Sequence, residues 1–265
     1  MLTARDAGGL PRLRSSRGSR APAPDAGASG LSVSRETVEA LAARHGLPGS
    51  TAGPLWALLE ALQHEPDPPT TLRSPEEAIA GHLADSLSGL AVPELSQAGR
   101  IADMGAGAGF PGLALAAAIP AARVDLIESN ARKCAVIDRL AAAAGLLGSR
   151  SVPHRAEEWA AGDGADAYDA VTARALAPLA VLAEYAAPLL RQGGVLVAWK
   201  GARDAQEEAA GRAAAERLGL RAHAVLRVEP FPGARERHLH VLSKVLPTPA
   251  GFPRRVGVAR KRPLA

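Results

Sequence analysis

The chain has 265 residues, 47% of them hydrophobic and 3% aromatic, with a formal net charge of +4. This length suits one ordinary domain with appendages, and Ala, Leu and Val must fill a core that has few aromatic side chains. No apolar run reaches the ~18 residues of a membrane span, the N-terminus lacks the apolar segment of a secretory signal, and the single Cys134 excludes an internal disulfide. We therefore predict a cytoplasmic protein with no membrane partner, and favour an unstructured bacterial extension over an organellar transit peptide at the Arg- and Ser-rich start.

The positive charge lies at the two ends of the chain. Residues 1–32 hold five Arg against two Asp, and residues 247–265 hold four Arg, one Lys and no acid, which leaves a charge of −4 for residues 33–246. Both ends are rich in Pro and Gly, so we predict two basic disordered tails. Such tails favour a polyanion, RNA before membrane because no apolar helical face accompanies them, and a role in solubility alone is the alternative.

Residues 33–98 are predicted to be a helical segment. "SRETVEALAARHG" offers Ser34 as an N-cap, and "PLWALLEALQ" has leucines at helical spacing. The clearest start signal is "SPEEAIAGHLADSLSGL", with Ser74 as cap, Pro75 at the first helical position and Glu77 completing a capping box.

The third predicted helix carries both an apolar stripe and a polar pair. His82 and Asp85 lie three residues apart, and we interpret them as a polar pair on the helix surface. The expected buried stripe consists of Ile79, Leu83, Leu87 and Leu90.

From residue 99 to 246, predicted strands and helices alternate. This pattern predicts a mostly parallel sheet covered by helices on both faces. The last two strands have no helix between them, so at least one should run antiparallel. The seven predicted strands lie in "RIADM", "ARVDLIES", "SRSVPHRAEEW", "YDAVTARA", "GGVLVAWKG", "RAHAVLRVEPF" and "RHLHVLSKVL".

The stretch "DMGAGAGFPG" follows the first strand and predicts a ligand site. Glycine permits positive φ and a close approach to the main chain, and a loop that enters a helix presents free N–H groups. In the dinucleotide fingerprint G-x-G-x-x-G counted from Gly105 and Gly107, the last position is Phe110, which disfavours NAD(P). A P-loop motif is absent from the sequence.

An acid followed by G-x-G-x-G resembles motif I of the S-adenosylmethionine-dependent methyltransferases. The ribose diol of that cofactor needs a carboxylate at the end of the second strand, where "VDLIE" places Glu128. For Asp103, a role in holding the loop and direct contact with the ligand both stay open.

Seven motifs, taken in their order along the chain, resemble those of the small-subunit (16S) ribosomal RNA guanine-N7 methyltransferases, the glucose-inhibited division protein B family. The motifs are "GHLADSL", "DMGAGAGFPG", "IES…RK", "HRAEEW", "VTARAL", "GGVLVAWKG" and "ERHLHVL". The resemblance covers about residues 75–245. It implies a Rossmann-like class I methyltransferase fold with a seven-stranded sheet. It also implies methylation of N7 of a guanine in the decoding-region loop of 16S rRNA, with either the free rRNA or the assembling small subunit as the substrate. We expect the protein to be a monomer. Upstream, "EALQHEPDPPTTLRSP" departs from the family pattern.

The resemblance also implies which residues bind S-adenosylmethionine. Ala156 and Glu157 follow the third strand, where a backbone amide and a carboxylate could bind the N6 edge of adenine. Arg174 ends the fourth strand and could pair with the cofactor carboxylate, with RNA phosphate, or in a structural salt bridge. The implied cofactor-binding set, with Gly107 and Glu128 added from the loop and strand arguments, is Gly105, Gly107, Phe110, Glu128, Ala156, Glu157 and Arg174.

The residues also bear on the chemistry of the target. Methylation of pyrimidine C5 needs a cysteine nucleophile, and Cys134 lies inside a predicted helix. Methylation of an exocyclic amine usually accompanies Asp/Asn-Pro-Pro-aromatic after the fourth strand, where this chain has "TARA". Guanine N7 is already nucleophilic, so no general base is needed and none is assigned.

Besides Arg174, three side chains near the predicted strand and helix ends are candidates for binding RNA: His82, Lys200 and Arg237. All four could instead make structural ion pairs. His238 and His240 resemble a metal pair, but their spacing fits strand alternation better, so we predict no metal site. A methyltransferase for a small molecule or protein, and an inactive cofactor-binding module, stay open as alternatives, with an NAD enzyme a distant third.

Overall fold

The computed structural model describes residues 34–72 and 74–264, so the predicted N-terminal extension, residues 1–32, lies outside the described residues. Among those residues no helix is both long enough and apolar enough to cross a bilayer. The helices in chain order are α1 (Arg35–Arg44), α2 (Ala52–His64), α3 (Pro75–Ala78), α4 (Asp85–Leu87), α5 (Pro93–Ser96), α6 (Gly112–Ala118), α7 (Ala131–Ala143), α8 (Ala156–Ala160), α9 (Leu179–Ala186), α10 (Ala205–Arg217) and α11 (Val258–Lys261).

Seven strands of the described chain form one sheet in the order β3-β2-β1-β4-β5-β7-β6. Strands β1 to β5 are parallel neighbours, and β7 runs antiparallel to both β5 and β6. The predicted Rossmann-like methyltransferase fold and the antiparallel strand near the end are therefore confirmed. The strands are β1 (Arg100–Met104), β2 (Arg123–Ile127), β3 (Ser149–Val152), β4 (Tyr168–Arg174), β5 (Leu190–Lys200), β6 (Leu220–Val228) and β7 (Arg237–Lys244).

The register brings three strand ends together at one edge of the sheet. Met104 at the end of β1 pairs with Ile127 on one side and with Ala173 on the other. Because these strands are parallel, the segments that follow them meet above the same edge, where ligands of open α/β sheets bind. Residues 105–111, 128–130 and 175–178 therefore surround one site.

The helical segment begins as predicted and then departs from a regular α-helix. The capping box is present, since Ser74 Oγ accepts from the Glu77 amide and Glu77 Oε2 accepts from the Ser74 amide, both at 3.1 Å. Residues Ile79–Ala84 then form a π-helix, and a 3₁₀ turn covers Ser88–Ala91. A π-helix shifts the faces of the following residues, and such segments are frequent at functional sites.

The polar pair in this segment is not on the surface. The interpretation of His82 and Asp85 as a surface pair is wrong, because both side chains are buried along with the predicted stripe residues Ile79, Leu83 and Leu87. The indole of Trp199, at the end of β5, donates to the Asp85 carbonyl oxygen at 2.8 Å. The helical segment is thus anchored to the sheet beside the site.

The prediction that the C-terminal tail is disordered is wrong for the described residues. Residues 247–264 are not disordered but pack on the domain and include helix α11, whose Ala259 is buried. Arg254 forms an ion pair with the buried Glu184 of α9, and Arg217 of α10 donates to the Leu264 carbonyl oxygen at 2.7 Å. Because the body of the domain is acidic, the basic residues of the tail find partners that the composition of the tail alone does not reveal.

Candidate functional site

The glycine loop joins β1 to α6 in a conformation that favours glycine. Gly105 and Gly107 have φ of 66° and 59°, in the left-handed region. A Cβ at Gly105 would lie 2.6 Å from Leu176 Cδ1, whereas a Cβ at Gly107 would meet nothing closer than 3.8 Å. The first glycine therefore permits close packing against the segment after β4, and the second leaves its backbone open to a ligand.

The Asp103 side chain fixes the position of this loop through two hydrogen bonds. Its side chain is fully buried, with Oδ2 accepting from the Gly112 amide at 2.9 Å and Oδ1 accepting from the Thr172 hydroxyl at 2.8 Å. Burial raises the pKa of Asp103 to about 6, although both hydrogen bonds oppose that change. Of the two roles that the sequence left open for Asp103, these contacts support the one of holding the loop.

Five of the seven predicted cofactor-binding residues line one cavity of about 400 Å³, which we call the loop cavity. They are Gly105, Gly107, Glu128, Ala156 and Glu157. The ends of β1, β2 and β3 bring these residues together over the sheet edge.

Main-chain amides fix the position of the Glu128 carboxylate. Its Oε2 accepts from the Gly107 amide at 3.1 Å and its Oε1 from the Asn130 amide at 2.9 Å. Each carboxylate oxygen has a further lone pair, so the buried Glu128 can still accept protons from a pair of ligand hydroxyls. The geometry therefore suits the predicted contact with a ribose diol.

Glu157 lies at the first turn of α8 and contacts a segment that the sequence did not connect with the site. Its Oε1 accepts from the Gly257 amide at 3.0 Å. Val256, Gly257 and Arg260 also line the loop cavity, as does Tyr185 of α9. No pattern in the sequence identified these residues, because the tail was interpreted from its composition.

The other two predicted cofactor residues, Phe110 and Arg174, lie in an adjoining cleft of about 840 Å³, which we call the basic cleft. The cleft shares Gly105 and Gly107 with the loop cavity. All three further RNA candidates, His82, Lys200 and Arg237, line it. The predicted site residues thus line two adjoining spaces that share the glycine loop.

Arg174 makes the structural salt bridge that the sequence left open. Its Nη1 donates to Asp85 Oδ2 at 2.8 Å and to the Gly81 carbonyl oxygen at 2.7 Å. Its Nη2 donates to the Phe110 carbonyl oxygen at 3.4 Å. The guanidinium therefore ties the helical segment to both β4 and the glycine loop.

His82 is a neutral ring in this cleft and not a cation for phosphate. It stacks on Phe110 with ring centroids 4.5 Å apart, and its Nε2 is 2.9 Å from Thr70 Oγ1. Burial, assisted by the charge of Arg174, lowers the pKa of His82 to about 4. Within residues 34–72 and 74–264, the buried His82 Nδ1 and Asp85 Oδ1 have no hydrogen-bond partner.

The other two predicted RNA-binding cations, Lys200 and Arg237, differ in whether they have an ion-pair partner. Lys200 Nζ lies 2.6 Å from Glu207 Oε1 and donates to the Ala177 carbonyl oxygen at 3.3 Å, so its charge is balanced. Arg237 is exposed and has no ion pair among the described residues. Lys133 of α7 lines both the cavity and the cleft. Lys133 belongs to the "RK" of the family-like motif "IES…RK", but its role at the site is not apparent from the sequence.

The side chains considered for other chemistry have structural contacts. Cys134 Sγ donates to the Glu128 carbonyl oxygen at 3.0 Å, and burial raises the pKa of its thiol, which keeps it protonated. His238 Nδ1 lies 2.9 Å from the Gly201 carbonyl oxygen, and His240 lies 4.0 Å from Glu208. No group of three or more His, Cys, Asp or Glu in the described part of the chain is placed to hold a metal ion.

Comparison with known proteins gives the same family as the motifs. The protein named ribosomal RNA small subunit methyltransferase G of Symbiobacterium thermophilum is 39% identical over 201 residues, which cover 74% of this chain and 82% of that protein. The protein of the same name from Rubrobacter xylanophilus is 44% identical over 197 residues, covering 72% and 75%.

Among solved structures, a mutant of MtNAS has a TM-score of 0.50 at 12% identity, and the match covers 80% of this chain and 76% of that chain. This is a likeness of fold alone.

The family described as GidB, rRNA small subunit methyltransferase G, matches residues 70–239. With most of the chain matched and relatives near 40% identity, the protein belongs to the rRNA small subunit methyltransferase G family.

Proposed function

We propose that this protein transfers a methyl group from S-adenosylmethionine to N7 of a guanine in the decoding-region loop of 16S rRNA, acting as a monomer in the cytoplasm. The single observation that carries the proposal is the pair of adjoining spaces around one glycine loop. One holds fixed carboxylates at a nucleoside-sized cavity, and the other is open, basic and partly aromatic. Membership in the family supports the same conclusion.

The loop cavity fits S-adenosylmethionine better than a dinucleotide. A Cβ at Gly107 would meet nothing closer than the Gly105 carbonyl oxygen at 3.8 Å, and the nearby Glu128 carboxylate can accept from two ribose hydroxyls. The third glycine of the dinucleotide fingerprint is replaced by Phe110, which is buried against His82 and leaves no open backbone there for a pyrophosphate. Glu128 and Glu157 would hold the nucleoside, and Lys133 lies where the cavity meets the cleft.

The protein's own contribution to the reaction is alignment. When bound, S-adenosylmethionine supplies an electrophilic methyl group on a sulfonium sulfur. The N7 lone pair of guanine can attack without losing a proton first, so the site needs to orient the base and exclude water rather than supply a base. The neutral His82 and the protonated Cys134 are consistent with a site that moves no proton before methyl transfer.

The basic cleft supplies the features that bind a single-stranded nucleotide. Arg237 and Lys133 provide charge for phosphates, while Trp199 and Phe231 add aromatic side chains to the lining of the cleft. An extruded or unpaired guanine in this cleft would face the loop shared with the cavity. This arrangement favours RNA over a small molecule as the methyl acceptor, because so large an open cleft would not enclose a small molecule.

The test is direct methylation of defined substrates. Purified protein is incubated with methyl-labelled S-adenosylmethionine and either free 16S rRNA or intact small subunits, and 7-methylguanosine is mapped by chemical cleavage of the RNA. We expect label at one guanine of the decoding-region loop. Label in a protein or small molecule without RNA would support the first alternative, and cofactor affinity without transfer to any substrate would support an inactive binding module.

A further inference from the structure

The C-terminal segment lies against the loop cavity, outside the part of the chain that matches the family, which ends at residue 239. Val256, Gly257 and Arg260 line the cavity together with Glu128 and Glu157. We call residues 252–262 the C-terminal strap. The strap therefore forms part of the cavity wall together with residues that follow β2 and β3.

Three contacts hold the strap in this position. Arg254 pairs with both carboxylate oxygens of Glu184 of α9, with Nε 2.6 Å from Oε1 and Nη2 donating to Oε2. The Gly257 amide donates to Glu157 Oε1 at 3.0 Å, and Arg260 Nη2 donates to the Leu176 carbonyl oxygen at 2.6 Å. The first contact lies outside the cavity, whereas the other two lie in its wall.

The contact with Glu157 connects the strap to ligand binding. One oxygen of this buried carboxylate is engaged by the strap, which fixes the direction of the other oxygen at the cavity. Leu176, the residue to which Arg260 donates, packs at the position where Gly105 lacks a side chain. The strap therefore contacts both the third-strand side and the glycine-loop side of the cavity.

We propose that the C-terminal strap is a wall of the S-adenosylmethionine site, with Gly257 and Arg260 as binding residues and Arg254 as a positioning residue; this inference rests on the proposed function. A ligand enclosed by the strap is tightly bound only in molecules whose strap is closed. By the same linkage, the bound ligand favours the closed strap. Weakening the Arg254 contact should lower affinity although Arg254 does not line the cavity.

The strap offers matched variants for a test. Arg254→Ala and Arg260→Ala each remove one positive charge and one of the contacts above. Arg255→Ala and Lys261→Ala remove the same charge from neighbouring exposed side chains that have no hydrogen bond or ion pair among the described residues. Comparing the two pairs separates the geometry of the strap from its overall charge.

The first measurement is calorimetric titration of the four full-length variants and the unmodified protein with S-adenosylmethionine. We expect the Kd to rise about tenfold for Arg254→Ala and about fivefold for Arg260→Ala, and to change by less than about twofold for the controls, because only the first pair lowers the population of closed strap. Equal Kd values for all four variants would overturn the inference while leaving the proposed function intact. No binding by the unmodified protein would instead overturn the proposed function, and the inference with it.

The second measurement keeps the test valid if a variant is poorly folded. Trypsin cleavage after Arg255 and Lys261 of the unmodified protein is followed by mass spectrometry with and without S-adenosylhomocysteine, the demethylated product. We expect saturating ligand to slow these cleavages about tenfold, since it stabilises the closed strap. Cleavage at the same rate with and without bound ligand would contradict the inference.

Discussion

The loop cavity and the basic cleft share a glycine loop, but their polar side chains are held in different ways. In the cavity, Glu128 and Glu157 accept hydrogen bonds from main-chain amides. In the cleft, Arg174 and Asp85 are held by their mutual ion pair, which joins elements far apart in the chain. The cleft also contains the buried His82 Nδ1 and Asp85 Oδ1, which have no partner among the described residues.

This difference separates ligand binding from stability. A carboxylate held by main-chain amides can be replaced while the amides turn to water or to a ligand, so its loss should mainly change affinity. A buried ion pair depends on both partners, so the loss of one leaves an uncompensated charge and should mainly change stability. The following predictions test this contrast in order of expected effect.

Arg174→Ala should cause the largest effect, a fall of about 3 kcal/mol or more in the free energy of unfolding, because Asp85 would be left charged and buried. The variant also loses the contacts with the Gly81 and Phe110 carbonyl oxygens that anchor the helical segment. Urea denaturation followed by circular dichroism measures the change. The double variant Arg174→Ala with Asp85→Ala should recover part of the loss, and a single variant as stable as the unmodified protein would refute the structural role of this pair.

The pH dependence of stability should reveal two groups with opposing effects, His82 and Asp103. The pKa of His82 falls to about 4 on folding, so its contribution to stability is present above pH 6.5 and is lost as pH falls toward 4. The pKa of Asp103 rises to about 6, so its protonated form stabilises the fold at low pH and that contribution is lost as pH rises from 3.8 through 6. Each contribution is on the order of 3 kcal/mol, and they nearly cancel between pH 4 and pH 6.

Substituting one of the two groups at a time isolates the contribution of that group. The stability of the unmodified protein relative to His82→Gln should increase from pH 4 to pH 6.5, and its stability relative to Asp103→Asn should decrease over nearly the same interval. Urea midpoints at half-unit steps of pH provide both slopes. Two slopes of the same sign would show that at least one of these groups titrates normally in the folded protein.

Glu128→Ala should weaken binding of S-adenosylmethionine about 100-fold, since two charge-assisted hydrogen bonds to the ribose are lost. The free energy of unfolding should change far less than in Arg174→Ala, because Gly107 lines the cavity and Asn130 is exposed, so water can reach the amides that Glu128 leaves. Calorimetric titration measures the affinity, and Glu216→Ala, at an exposed position of α10, is the control. An affinity within threefold of the unmodified protein would remove Glu128 from the cofactor site.

The sequence was sufficient for the sheet and the loop cavity because both depend on local patterns. Alternating strand and helix segments predicted the order of elements, and glycine spacing with an acid at the end of the second strand predicted Gly107 and Glu128 in one cavity. Parallel pairing then brings successive strand ends to one edge without further information.

The sequence was insufficient where a structure depends on contacts between distant segments. The partner of Arg174 is 89 residues away, and the Gly257 amide that holds Glu157 is 100 residues away. The π-helix at Ile79–Ala84 depends on a shift in backbone hydrogen bonding that leaves the spacing of apolar residues unchanged. Composition predicted disorder for the tail because the acidic partners that order it lie elsewhere in the chain.

Arg237→Ala should produce the smallest effect and the most selective one. Arg237 lines the cleft but not the cavity, so the variant should bind S-adenosylmethionine normally while its kcat/KM for rRNA methylation falls about fivefold at 0.15 M salt. The loss of one phosphate contact should also reduce the dependence of log Kd for RNA on log salt concentration by about one unit. Arg235→Ala removes the same charge from an exposed position outside the cleft and should have neither effect. Equal effects of the two variants would mean that RNA responds to the total charge of this surface rather than to the cleft, and the separation of the two spaces would then not extend to the substrate.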